Sequence, residues 1–193
     1  MNGLSATNGV VHPLLTPPAS TQIFDGSALP WTRLAGLLEA ARWTASSWNR
    51  QPWRFVVGRN GDRTFQEMHG ALTPANRTIA GDAGALVLAL RQVRGVDGAP
   101  LIGTEYELGL AVARLSVQAR ATGWHTVQLG GFRRRALVAA FEVPAEFEPF
   151  VVLAVGRATA DPSRTPVPRS RLPLADIVFT GRWGAPSDGE GLS

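Results

Sequence analysis

The chain has 193 residues, of which 45% are hydrophobic and 18% charged, with a formal net charge of +4. That balance fits a single soluble globular domain with a sizeable core. It has no cysteine and every basic residue is arginine, which excludes disulfides, thiolate catalysis, cysteine-ligated metals, lysine Schiff bases and a P-loop lysine.

The opening segment MNGLSATNGVVHPLLTPPAS has neither a charged leader nor a long apolar core, so a signal peptide is not expected. Pro13, Pro17 and Pro18 predict a flexible arm over residues 1–17. Leu34, Leu37, Leu38 and Ala41 fall at helical spacing in WTRLAGLLEAAR, just after Pro30. A loop then leads into RFVVGR, a strand closed by the turn RNGDR. RTFQEMHGAL reads as a helix ending near Pro74, and GALVLALRQV as a buried strand. GTEYELGLAVARLSVQARATGW is the strongest helix: Leu108, Ala111, Val112, Leu115, Ala119 and Thr122 share a face. Glu105 and Glu107 suit its positive N-terminal end, and Gly123 its C-cap. HTVQL is a short strand, FRRRALVAAF a helix and PFVVLAVGR another buried strand. SRTPVPRSRLPLADIVF reads as an extended tail with a final short helix, and residues 187–193 as a disordered end. The apolar runs ALVLAL and FVVLAV are too short to span a bilayer, so a cytoplasmic protein without membrane contact is expected. Four strands alternating with helices make residues 18–186 one α+β domain, with the long helix packed on a mixed sheet.

The nucleophile elbow, the Walker loop and the dinucleotide-binding glycine pattern are all missing from the sequence. His12, His69 and His125 are scattered without carboxylates at ligand spacing, so no metal site is expected. Arg133, Arg134 and Arg135 lack interleaved aromatics and read as a solvated helix face, so no nucleic acid is expected as a partner. The stretch ARWTASSWNRQPWRFVV, residues 41–57, is different. Its hydroxyls, amides and indoles, stiffened by Pro52, can hydrogen-bond the edge of a planar heteroaromatic ring or simply form a helix–strand turn with Trp48 and Trp53 in the core.

This stretch resembles the helix–loop–strand signature of the FMN-dependent nitroreductase family, Glu-Ala-Ala-Arg-x-Ala-Pro-Ser-Ser-x-Asn-x-Gln-Pro-Trp-x-Phe, with Ala45 in place of proline. LTPANRTIAGDAGALVLAL, ELGLAVARLSVQARATGWHTVQLGGF, VPAEFEPFVVLAVGR and VPRSRLPLADIVFTGRWG resemble further family segments in the same order.

The resemblance implies a three-layer α/β/α fold with a mixed, mostly antiparallel sheet, a long central dimer helix and an intertwined homodimer holding FMN at its interface. It implies flavin contacts from Ser46, Ser47, Asn49 and Gln51, partly across the dimer, and from Asn76 near the ring. Gln128, Leu129, Gly130 and Gly131 match the flavin-contacting strand and its close-approach glycines; Arg169 and Arg171 match the pair that holds the phosphate. The family's basic N-terminal register reads PASTQIF here: Ser20 persists, Gln22 takes a basic position, and Pro18 and Ala19 carry no charge. Each lost charge-assisted hydrogen bond is worth roughly 1.5–3 kcal/mol, which leaves three outcomes open: compensation by another arginine (Arg42, Arg50 or Arg164), weaker FMN binding, or a flavin or ligand with different anchoring. The implied activity is ping-pong hydride transfer from NAD(P)H through FMN to a nitroaromatic or quinone-like acceptor, with no dedicated catalytic side chain. The altered N-terminal register also fits a flavin-dependent dehydrogenase or oxidase of a specialised metabolite, or a non-catalytic flavin-binding member.

Overall fold

The computed structural model describes residues 11–16, 24–159 and 170–185. They fall in two compact units, residues 21–164 and a smaller one combining 1–20 with 165–193. In the larger unit the order is α1 (Trp31–Arg42), β1 (Trp53–Arg59), α2 (Arg63–Ala71), α3 (Pro74–Ala80), β2 (Ala85–Gln92), α4 (Thr104–Ala121), β3 (His125–Leu129), α5 (Arg134–Ala140) and β4 (Phe147–Gly156).

The local causes are visible in the chain. Asp62 caps α2, accepting a 2.7 Å hydrogen bond from the Phe65 amide while its other oxygen takes the Arg59 amide at 2.7 Å. Pro74 opens α3 at a position where a missing N–H costs nothing. The helix expected to end near Pro74 is thus followed by a second one, too short to show a period in the sequence. Gly123, at φ +77, turns the chain out of α4, whose predicted face is the one that buries: Leu108, Ala111, Val112, Leu115 and Ala119.

The strands are ordered β1-β2-β4-β3, and all three neighbouring pairs are antiparallel. The mixed sheet expected from sequence is therefore corrected: among the described residues it is antiparallel throughout. The helices explain it. α2, α3 and α5 have seven to nine residues and rise about 10–14 Å. That is too little to carry the chain past a strand of seven to ten residues, about 23–33 Å long. The chain therefore re-enters the sheet at the end it left. α4, with 18 residues, does span the sheet, and β3 accordingly runs in the same direction as β2. β4 lies between them, so the two never pair.

Side chains alternate along the strands and feed two cores. Ala85, Val87 and Ala89 of β2, with Leu153 and Val155 of β4, pack with Leu34 and Leu37 of α1 and the buried face of α4. Leu86, Leu88 and Leu90, with Val152 and Ala154, pack with Phe65 and Met68 of α2 and Leu137 of α5. Full burial of each such leucine or phenylalanine stabilises the fold by about 1.5–3 kcal/mol.

In the smaller unit, 3₁₀ turns occupy Pro13–Leu15 and Leu174–Asp176, the latter where a short terminal helix was expected, and the Phe179 and Trp183 rings lie 4.9 Å apart. The turn at Pro13–Leu15 gives regular structure to a part of the arm expected to be irregular. Residues 187–193 lie outside the described residues. Among the described residues, no helix is long and apolar enough to cross a membrane.

Candidate functional site

The loop between α1 and β1 has the most unusual backbone among the described residues. Trp48, Asn49 and Gln51 have φ values of +53, +54 and +50, three of the four left-handed non-glycine residues described. Asparagine tolerates this region; a tryptophan there is an outlier, and each such residue costs roughly 1–2 kcal/mol. Trp48 is also 95% exposed, so it packs nothing in the chain itself. The core role considered for Trp48 from sequence is thereby corrected, whereas Trp53 is buried.

A set of braces holds the loop. The Gln51 amide donates to Ser46 Oγ at 2.9 Å, and the Gln51 side-chain amide donates to the Asn49 carbonyl at 3.1 Å. The Asn49 and Arg50 amides close 3₁₀ bonds to the Ser46 and Ser47 carbonyls. Arg54 donates to the Gln51 carbonyl at 3.0 Å. From α4, Glu107 accepts the Ser47 amide at 2.6 Å, with the Arg50 guanidinium 4.0 Å away. Glu107 is only 7% exposed, and its second oxygen is buried with no hydrogen-bond partner. Sequence reasoning read Glu107 as a helix-dipole residue. Its contact with a loop 60 positions earlier left no signal in the chain.

Beside the loop lies a cavity of about 400 Å³, lined by Arg42, Trp43, Thr44, Asn49, Gln51 and Arg114, among others. Arg42 donates to Glu39 from Nε at 2.7 Å and from Nη2 at 2.6 Å, and Glu39 also accepts the Trp43 indole N–H at 2.8 Å. Those contacts, Arg42 first, hold the exposed Glu39 carboxyl down at about 2. Arg42 is thus paired with Glu39 in an exposed i,i+3 ion pair.

The second set of candidates gathers at the end of β3. Asn76, on α3, donates to the Gly131 carbonyl at 3.0 Å, and the Thr73 amide donates to the same oxygen at 3.0 Å. A Cβ at Gly131 would lie 2.9 Å from Asn76 Nδ2 and 3.1 Å from the Thr73 side chain, so a larger residue there requires Asn76 to shift. A Cβ at Gly130 would meet nothing within 4 Å, which leaves that backbone open to a planar group. Gln128 is exposed and Leu129 buried, as the last two residues of an edge strand.

The two sets lie on opposite edge strands. Leu129 is level with Val152, Val152 with Leu88, and Leu88 with Val56. Three interstrand steps separate β3 from β1, about 14 Å. No described hydrogen bond joins them. Arg171 lies in the smaller unit and donates to its neighbour's carbonyl. Ser20, Gln22 and Arg169 lie outside the described residues, as do Pro18, Ala19 and Arg164. Among the described residues, no group of three or more metal-ligating side chains is gathered.

A profile of the nitroreductase family matches residues 19–157. The chain belongs to the nitroreductase family. An uncharacterized 15.4 kDa protein of Mycolicibacterium smegmatis, from the ask 5' region, is 36% identical over 148 residues, covering 69% of this chain and 99% of its own. YodC of Bacillus subtilis strain 168, named as a candidate NAD(P)H nitroreductase, is 22% identical, covering 85% of this chain and 95% of its own. A crystal structure described as an oxidoreductase containing FMN is 28% identical with a TM-score of 0.86, over 96% of this chain and 98% of that one. The braced loop and the Asn76–Gly131 contact lie within the residues that the family profile matches.

Proposed function

We propose that this protein is an FMN-dependent NAD(P)H oxidoreductase that works as a homodimer, in the three-layer α/β/α arrangement, with a flavin between the subunits. The observation that carries the reading is the loop of Ser46–Gln51, where three left-handed residues are held by dedicated braces. Backbone strain of this kind is retained where a ligand needs a fixed surface. The solved relative that contains FMN and the Bacillus relative named for NAD(P)H support the choice of flavin and donor.

The residues fit a flavin. Gly130 offers an open backbone, and Gly131 permits the close packing of Asn76 behind it. Ser46, Ser47, Asn49 and Gln51 supply hydroxyl and amide groups on a preset loop. About 14 Å of sheet between the two sets exceeds what one ring can bridge in a single chain, so a second copy would bring its loop to the β3 edge. Along α4, Tyr106, Gly109, Leu110 and Ala113 form an exposed stripe of apolar and small residues suited to that contact. Gln128 and Leu129 would lie along the ring's edge; Ser20, Gln22, Arg169 and Arg171 would hold the phosphate end.

When bound, FMN supplies reversible two-electron hydride chemistry, taking from NAD(P)H and giving to a nitroaromatic or quinone-like acceptor in alternation at one site. The chain's part is to position: Asn76 and the loop amides orient the ring by hydrogen bonds, and the open mouth leaves proton supply to solvent. Anaerobic addition of NADPH or NADH to the FMN-loaded protein is expected to bleach the flavin absorbance near its visible maximum. Persistent colour at saturating donor would overturn the reductase reading.

A further inference from the structure

The wall of the cavity beside the strained loop has a composition that flavin binding does not explain. Trp43 is 68% exposed, yet its indole is fixed by the hydrogen bond to Glu39, with the Arg42 guanidinium 5.3 Å from the ring centre. An exposed indole held in one orientation is a stacking surface. Arg114 reaches from α4 to donate to the Trp43 carbonyl at 2.7 Å, which anchors one arm of its fork. The rest of that guanidinium has no acidic partner among the described residues, whereas the charge of Arg42 is balanced by Glu39. Among the described residues, the cavity therefore carries one uncompensated positive charge beside a fixed aromatic plate. Thr44, 5% exposed and lining the same cavity, has a hydroxyl with no partner.

We propose that the Trp43–Arg114 cavity is a subsite for a planar aromatic ligand bearing a carboxylate, and that it directs the enzyme toward anionic aromatic electron acceptors. The ring lies against the indole, and the carboxylate takes the free edge of the Arg114 fork, whose flat geometry suits a carboxylate better than a point charge does. Asn49 and Gln51 line this cavity and belong to the strained loop, so a ligand there sits next to the proposed flavin surface. The acceptor role rests on the function proposed above; the binding site does not.

The test has two arms. In the first, flavin-free protein is titrated with benzoate while tryptophan fluorescence is recorded. A saturable change is expected, lost in Trp43→Phe and shifted about tenfold or more to higher benzoate in Arg114→Gln, the size expected for one charge-assisted hydrogen bond, with Arg114→Lys intermediate. No saturable change, an unshifted curve in Arg114→Gln, or equal competition by inorganic phosphate would overturn the proposal. In the second, kcat/KM of the FMN-loaded enzyme is compared for 4-nitrobenzoate and 4-nitrobenzyl alcohol. The ratio is expected to favour the acid and to fall about tenfold in Arg114→Gln; an unchanged ratio overturns the acceptor role. Failure to reduce either compound, with benzoate binding intact, overturns the reductase reading and leaves the subsite standing.

Discussion

At the scale of single residues, the two adjacent glycines have opposite reasons to be glycine. Gly131→Ala would place its methyl 2.9 Å from Asn76 Nδ2 and push that side chain off the Gly131 carbonyl. The lost hydrogen bond predicts about 1 kcal/mol less stability in urea unfolding of the apo-protein. Gly130→Ala meets nothing, so apo stability is expected to stay within about 0.5 kcal/mol, while FMN affinity measured by fluorescence quenching falls because the methyl occupies the open approach. Glu107 gives the complementary case. Glu107→Ala removes the acceptor of the Ser47 amide and predicts a loss of about 1–3 kcal/mol. Glu107→Gln retains a side-chain oxygen at that position and is expected to lose less than half as much, read by the same denaturant titration. Resemblance to the family's segments marked Ser46, Asn49, Gln51, Asn76 and both glycines, where residue chemistry alone left the loop open between a ring-binding edge and a plain turn. Glu107 and Arg114 escaped it because their partners are distant in the chain.

At the scale of elements, α4 shows how far periodicity reaches. Its buried face, its acidic first turn and its glycine exit were all legible, since each depends on neighbours within a turn or two. The short α3 was not, because seven residues following a proline give too few turns for a period to emerge. Beyond α4, His125 starts β3, and burial, aided by the nearby Arg120 charge, pushes its imidazole below the ordinary value of 6.5. The folded state thus favours the neutral ring, and the unfolded chain takes up a proton more readily. The stability from this group is full above about pH 6.5 and is lost as pH falls through the folded value. His125→Gln is expected to flatten that acid-side loss: the urea midpoints of variant and wild type should converge or cross as pH is lowered from 7 to 5. A constant gap between them would refute the effect.

At the scale of the whole molecule, the order β1-β2-β4-β3 sends the strained loop and the glycine pair to opposite edges of one sheet. In the function proposed above, a second copy brings its loop to the β3 edge, and α4 offers a direct test of that arrangement. Leu110→Arg places a charge in the exposed stripe of α4, where Leu110 is 37% exposed. Light scattering coupled to gel filtration is expected to show monomer in place of dimer, with FMN retention lost in parallel. A dimer that persists with bound flavin would place the interface elsewhere.

What the sequence by itself determined is what local chemistry controls: which segments are helices and strands, which faces are apolar, and which loop carries hydroxyls and amides at the spacing of the nitroreductase signature. Period, capping and turn residues act over a few positions, so they can be read in order. Tertiary structure alone decided the strand directions, because these follow from whether each connecting helix is long enough to cross the sheet. It also decided the cost and the bracing of the loop, since left-handed Trp48 is tolerated only where Glu107 and Ser46 hold the backbone around it. And it brought Arg114 to the Trp43 carbonyl across 71 positions of chain, a contact that exists because α1 and α4 bury their apolar faces against the same side of the sheet.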